Sequence, residues 1–282
     1  MIVPREVPDA SRVGRHYDDL DDPYRDIWGE HLHHGLWRTG RESPEVATTQ
    51  LMRTVTDAAC LKAGDHVVDI GCGYGGTSRF MASEYGVRVT GYTVSEAQWK
   101  YATAPERRSD QLEYRLCSWE VNGLADASMD AAIAIECFTH MPSKEKFLAE
   151  AYRVLKPGGR LSMAVWMTEV NPTGWRVKHL LEPICREGRL VGMGSAGEYR
   201  QMMEAAGFVV RKEEDWSQQV KRTWSLCARR LGWKLGTSPR YWKMLFDRSN
   251  GNRIFAVTLA RILAAYRNGA MRYGFYVLEK PV

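Results

Sequence analysis

The chain has no C-x-x-C pair: its six cysteines, Cys60, Cys72, Cys117, Cys137, Cys185 and Cys227, are scattered. That spacing excludes a zinc knuckle and a disulfide framework, and it fits reduced thiols in a cytoplasmic setting. No stretch comes near the roughly 18 uncharged apolar residues that a spanning helix needs. The start, Met1 to Glu6, carries neither an apolar run nor a cleavage signature. Internal repeats and low-complexity tracts are missing as well. These absences point to a cytoplasmic protein without a transmembrane segment and leave peripheral contact with a membrane open. What remains is ordinary for a globular chain: 282 residues, 44% hydrophobic and 26% charged, enough for one large α/β domain with a generous core.

The most informative stretch is Val67 to Gly76. Val67-Val68-Asp69-Ile70 reads as a short buried parallel strand. The Gly71-Cys72-Gly73-Tyr74-Gly75 that follows lets the backbone turn sharply and approach a ligand with no Cβ in the way. Thr77 to Tyr85 then reads as a helix. Asp69 precedes the first glycine, so the pattern is D-x-G-x-G-x-G and not the G-x-G-x-x-G of nicotinamide enzymes. This favours S-adenosyl-L-methionine (SAM) as the ligand, with S-adenosyl-L-homocysteine (SAH) as its product.

From Asp65 onward strands and helices alternate regularly. Strands are expected at 66–70, 88–92, 112–116, 129–135, 160–166 and 208–211, with a last one at 272–278 folding back antiparallel. Phe147 to Leu155 reads as a helix stopped by Lys156-Pro157-Gly158-Gly159. The fold class is α/β: a Rossmann-like, seven-stranded, doubly wound and mostly parallel sheet. Two decorations flank it, giving a helical N-terminal lid (1–60), the core (61–216), a helical insertion (217–270) and the last core strand (271–282).

The lid concentrates Tyr, Trp and His, with Tyr17, Tyr24, Trp28, His31, His33 and His34 close together. Such groups suit a cover over cofactor and substrate. No carboxylate spacing matches the histidines, so no metal site is expected, and the run Asp18-Asp19-Leu20-Asp21-Asp22 reads as a solvated helix start. The insertion holds eleven Lys or Arg and one acid, Asp247, in a chain whose net charge is +5. Its basic surface suits a solvated helical face, an anionic acceptor such as a prenyl diphosphate, or lipid headgroups. Trp224, Trp233, Tyr241, Trp242 and Phe246 punctuate it, but no nucleic-acid module accompanies them, so nucleic acid is not expected as a partner.

Asp69 to Gly75, Leu155 to Gly159, and seven strands with a late insertion resemble class I SAM-dependent methyltransferases over residues 60–280. Trp28 to Trp37, Thr93-x-Ser95-x-x-Gln98, Ile135-Glu136 followed by His140-Met141-Pro142, and Asp215-Trp216-Ser217 are similar to one branch of them. That branch holds γ-tocopherol methyltransferases, sterol C24-methyltransferases and related natural-product enzymes, with cyclopropane fatty-acid synthases close by. The resemblance implies that Asp69, Gly71, Gly73 and Gly75 surround the methionine end of SAM. It further implies Thr93, Val94 and Gln98 at the ribose, Ser118 and Trp119 at the adenine, and His34 and Gly35 covering the methionine, with Glu136 nearby.

Methyl transfer from a sulfonium needs mainly water exclusion and in-line alignment. The expected acceptor is a small, largely apolar natural product methylated at carbon, isoprenoid or aromatic. Glu136 would stabilise the cation or act as base, its pKa raised by burial, beside a catalytic His140. Tyr17, Tyr24, Trp28, His33, Trp166 and Trp175 would face the acceptor. N- or O-methylation of an indole, phenol or amine is the alternative, and SAM binding without transfer a further one. The sequence leaves monomer and homodimer equally open.

Overall fold

Met129–Ile135 has a single charged side chain, Asp130, and forms β4, a strand buried on both faces in the middle of the sheet. The computed structural model describes residues 1–238 and 255–282. Seven strands stand in the order β3-β2-β1-β4-β5-β7-β6: β1 His66–Ile70, β2 Arg88–Thr93, β3 Leu112–Leu116, β5 Leu155–Thr168, β6 Val209–Asp215 and β7 Met271–Glu279. Strands β1 to β5 run parallel, and β7 is antiparallel to both β5 and β6. The seven-stranded, mostly parallel reading of the sequence therefore holds.

One boundary differs from the expectation. The helix α6, Lys144–Val154, has no separate stop signal, because Leu155 is already in β5 and pairs with Met129. Lys156 to Gly159 sits in that strand at a register shift opposite β4, with Gly158 in the left-handed region (φ +77°). Gly-rich chain stops a helix, yet it also makes a bulge, and here the sheet uses it so.

The lid consists of α1 (Ala10–Asp19), α2 (Asp21–Ile27), a loop to Trp37, and α3 (Pro44–Ala58). The core helices are α4 (Gly76–Tyr85) and α5 (Glu96–Ala102), then α6. After β5 come α7 (Gly174–Arg176), which continues into a π-turn, α8 (Glu182–Glu187) and α9 (Ala196–Ala205). The insertion supplies α10 (Ser217–Val220), α11 (Arg222–Thr237) and α12 (Phe255–Asn268). Thr223, Trp224, Cys227 and Leu231 form the buried stripe of α11 at helical spacing, and Leu259, Ile262, Ala265 and Tyr266 that of α12. These stripes join lid and sheet residues in one core cluster, and Trp216 stacks on Phe275 of β7 at 4.2 Å to anchor the insertion's root. Tyr241, Trp242, Phe246 and Asp247 lie outside the described residues.

Candidate active site

At the carboxyl ends of β1 to β4 the sheet opens into a cavity of about 730 Å³, roofed by the lid and walled by α8, α11 and α12. Its floor is the glycine turn. Gly71 (φ +75°) lies so close to Cys137 that a Cβ would stand 2.4 Å from the cysteine's own Cβ. A Cβ on Gly73 (φ +54°) would meet only the Gln98 amide nitrogen, at 3.9 Å, and would otherwise project into the cavity. The Asp69 carboxylate is buried and accepts a hydrogen bond from Ser78 Oγ at 2.6 Å; burial pushes its pKa up to about 6. At the end of β2, Thr93 Oγ1 donates to Gln98 Oε1 at 2.9 Å, which leaves the amide NH₂ of Gln98 turned toward Gly73.

The lid is docked by its acidic run. Asp18 Oδ1 accepts from Ser95 Oγ (2.6 Å) and Ala97 N (3.0 Å) at the start of α5, and Asp21 accepts from Tyr74 OH (2.6 Å) in the glycine turn. Gly14 of α1 sits directly on the Val94 carbonyl oxygen, where a Cβ would be 2.2 Å away. The His31 ring lies across Gly76 at the start of α4, and Glu30 pairs with Arg79. Among the described residues no group of three or more His, Cys, Asp or Glu stands together to hold a metal.

Two histidine–tyrosine pairs line the roof. Tyr17 OH contacts His140 Nε2 at 3.1 Å, and His140 Nδ1 contacts the Arg189 carbonyl at 3.1 Å. A carbonyl only accepts, so the ring proton sits on Nδ1, and Nε2 accepts from the tyrosine. Burial holds the His140 pKa down at about 4, so the ring is neutral at pH 7. His16 makes the same contact to Tyr24 OH at 3.1 Å, with its pKa lowered to about 3 by burial.

Glu136 stands between floor and roof. It accepts from His34 N (2.7 Å), His34 Nδ1 (2.8 Å) and Tyr273 OH (2.8 Å) on one oxygen, and from Trp166 Nε1 (2.8 Å) on the other. Burial alone would push its carboxyl up, but the His34 ring and these donors outweigh it and hold the pKa below the usual carboxylate range. The expectation of a raised pKa at Glu136 is therefore overturned, because donors, not apolar groups, surround it. The residue also sits at φ +61°, a left-handed backbone that costs a non-glycine about 1 kcal/mol or more.

Residues 5–241 match the mycolic acid cyclopropane synthetase family. The chain belongs to that family. It is 33% identical over 232 residues to 27-O-demethylrifamycin SV methyltransferase of Amycolatopsis mediterranei, covering 79% of this chain and 83% of that one. To the chloroplastic tocopherol O-methyltransferase of Arabidopsis thaliana it is 26% identical, covering 96% and 82%. Its fold superposes on mycolic acid cyclopropane synthase CmaA1 complexed with SAH with a TM-score of 0.86, at 19% identity, covering 98% and 99%. The protein is thus a class I SAM-dependent methyltransferase of small molecules, with SAM as its cofactor.

In this methyltransferase the floor fits that cofactor: a gap at Gly73 that a Cβ would fill, a buried carboxylate for a cationic group, and a hydroxyl and an amide for a ribose diol. Of the residues singled out in the sequence, Asp69, Gly71, Gly73, Thr93, Val94, Gln98, Ser118, Trp119, Glu136 and His140 line the cavity, as do Tyr17, Tyr24, Trp28, His33 and Trp166. Trp119 does so as a core side chain, edge-on to Tyr92 and donating to the Phe147 carbonyl at 3.2 Å. Four are not brought there. Trp175 is 62% exposed and packs on His179, so it has no contact with the acceptor space. His34 and Gly35 lie behind the cavity, Gly35 N donating to Thr223 Oγ1 at 3.0 Å. Gly75 (φ +77°) faces the Tyr114 hydroxyl instead. Sequence reasoning missed Tyr273, Tyr266 and Thr223, which carry no motif, and the α8 and α12 wall residues Ile184, Leu259 and Ile262.

Proposed function

We propose that this methyltransferase acts on a hydroxyl of a bulky, largely apolar small molecule. The Tyr17–His140–Arg189 relay inside the cavity carries the reading. A hydroxyl acceptor must lose a proton as it is methylated, and a neutral histidine whose Nε2 is reached through a tyrosine hydroxyl is built to take it. The acceptor oxygen–carbon bond forms as the carbon–sulfur bond breaks, its electron pair stays on sulfur, and the proton passes through Tyr17 to His140. Glu136 already accepts from four protein donors, and these favour its ionised form over a role as that base. The name of the rifamycin relative, an oxygen-methylating enzyme by its description, supports the same acceptor chemistry, whereas 24-methylenesterol C-methyltransferase 2 is named for carbon.

Carbon methylation is the second reading, and one observation favours it. The cavity wall runs Tyr24–Trp28–Trp224–Trp166 with ring centroids 5.6, 5.8 and 5.7 Å apart, next to the Glu136 anion. Aromatic faces and a carboxylate suit an acceptor carbon that gains positive charge. The two separate in a transfer assay from [methyl-³H]SAM to phenols, alcohols, quinols, indoles and prenyl diphosphates, with and without magnesium. Labelling at oxygen without magnesium, cut at least about 100-fold by His140→Gln, is the expected result. Label found only on carbon, or undiminished in that variant, sinks the hydroxyl reading.

A further inference from the structure

We infer that Glu136 is a positioning residue: its carboxylate fastens the lid loop to the sheet and, through His34, to the helical insertion, and it takes no proton during turnover. A carboxylate offers about four lone-pair directions, and here four donors occupy the two oxygens. Three of them converge on Oε1 and one bonds Oε2, so the grip on the lid loop and on β7 is concentrated in a single oxygen. Two of the donors belong to His34 in the lid loop, one to Trp166 of β5 and one to Tyr273 of β7.

The far side of His34 completes the fastening. Trp224 Nε1 of α11 donates to His34 Nε2 at 2.5 Å, and Tyr266 OH of α12 lies 3.3 Å from the same nitrogen. An indole N–H can only donate, so Nε2 is unprotonated and the ring proton is on Nδ1, pointing at Glu136. His34 is thereby held in one tautomer from both ends. The loop on either side is tied to the same helices: Gly35 N and Trp37 Nε1 both donate to Thr223 Oγ1 at 3.0 Å, and Trp37 N donates to Gln219 O at 2.9 Å. One ionised side chain therefore joins lid, sheet and insertion. Glu136 makes these contacts from a left-handed backbone, at φ +61°.

Glu136→Gln tests this, because the amide keeps the shape but sets an NH₂ against the Trp166 N–H. Hydrogen exchange on the full chain with SAH bound reads the His34 and Gly35 amides. Their exchange should be at least about tenfold faster in Glu136→Gln. Trp224→Phe, which leaves Glu136 intact, should loosen the same amides. Adding Trp166→Phe to Glu136→Gln removes the opposing donor and should recover part of the protection. With an acceptor from the assay above, kcat should fall in Glu136→Gln while the acid limb of its pH profile stays in place. Unchanged protection in both single variants would overturn the inference, as would loss of the acid limb with protection intact. The exchange measurement needs no acceptor, so it stands or falls separately from the hydroxyl reading.

Discussion

Asp69 shows how a single buried group ties cofactor affinity to pH. Its pKa of about 6 lies above the ordinary carboxylate value because burial disfavours the charge. A native-state pKa above the unfolded one means that the folded chain holds the proton more tightly. The stability from this group is thus full below about pH 4 and is lost as pH rises through about 6, a cost on the order of 3 kcal/mol. With the cofactor placed as proposed, a cationic group beside Asp69 would reverse the preference. SAH affinity, measured by calorimetry, should therefore weaken by about tenfold per pH unit below pH 6, and Asp69→Asn should flatten that dependence. Gly73→Val should abolish SAH binding, since the added side chain enters the cavity, and should also lower stability by about 1–3 kcal/mol, since a β-branched residue must adopt φ +54°. Both residues were legible in the sequence because the glycine turn is local: the strand, the carboxylate and the turn occupy ten consecutive residues. The partners of Glu136 were not. They come from positions 34, 166 and 273, with Trp224 and Tyr266 behind, and a tyrosine in a strand gives no sign of the carboxylate it will meet.

At the scale of elements, α1 is held by contact as much as by hydrogen bonds. Gly14→Ala places a methyl against the Val94 carbonyl, so α1 must lift from the loop that follows β2, and SAH should dissociate at least about tenfold faster by stopped-flow fluorescence. Thr223→Val strips the acceptor from two buried donors, Gly35 N and Trp37 Nε1, and should lower stability by about 1–3 kcal/mol in urea unfolding. Element existence was readable from periodicity, as the unbroken apolar run of β4 shows. Element limits were less so. Lys156 to Gly159 has the composition of a helix stop, and only the pairing of its neighbours, Leu155 with Met129 and Arg160 with Ala131, both more than twenty residues away, carries the strand through it.

Across the whole molecule the excess of basic residues in the insertion serves the chain itself at several points. Arg230 donates to the Ile27 carbonyl at 2.6 Å, Lys234 lies 3.6 Å from Asp26, and Arg261 pairs with Glu187, which also accepts from Thr258 at 2.6 Å. Lid and α8 are thus tied to the insertion by the charges that, in sequence, invite a diphosphate or a lipid headgroup. The Lys234–Asp26 pair is partly exposed and worth little, so raising the ionic strength should barely move the melting temperature; a large drop would assign these pairs more weight than their geometry supports.

The sheet order also sets a schedule for the nascent chain. Among the described residues strand β6 pairs with β7 alone, yet β7 follows every other described strand in chain order, and it brings Tyr273 to Glu136. Until residues 271–279 have emerged during synthesis, β6 has nothing to join and the lid loop lacks part of its anchorage. A partly made chain can carry the glycine turn and still be unable to close over a methyl donor, so the enzyme becomes competent only when its last strand arrives.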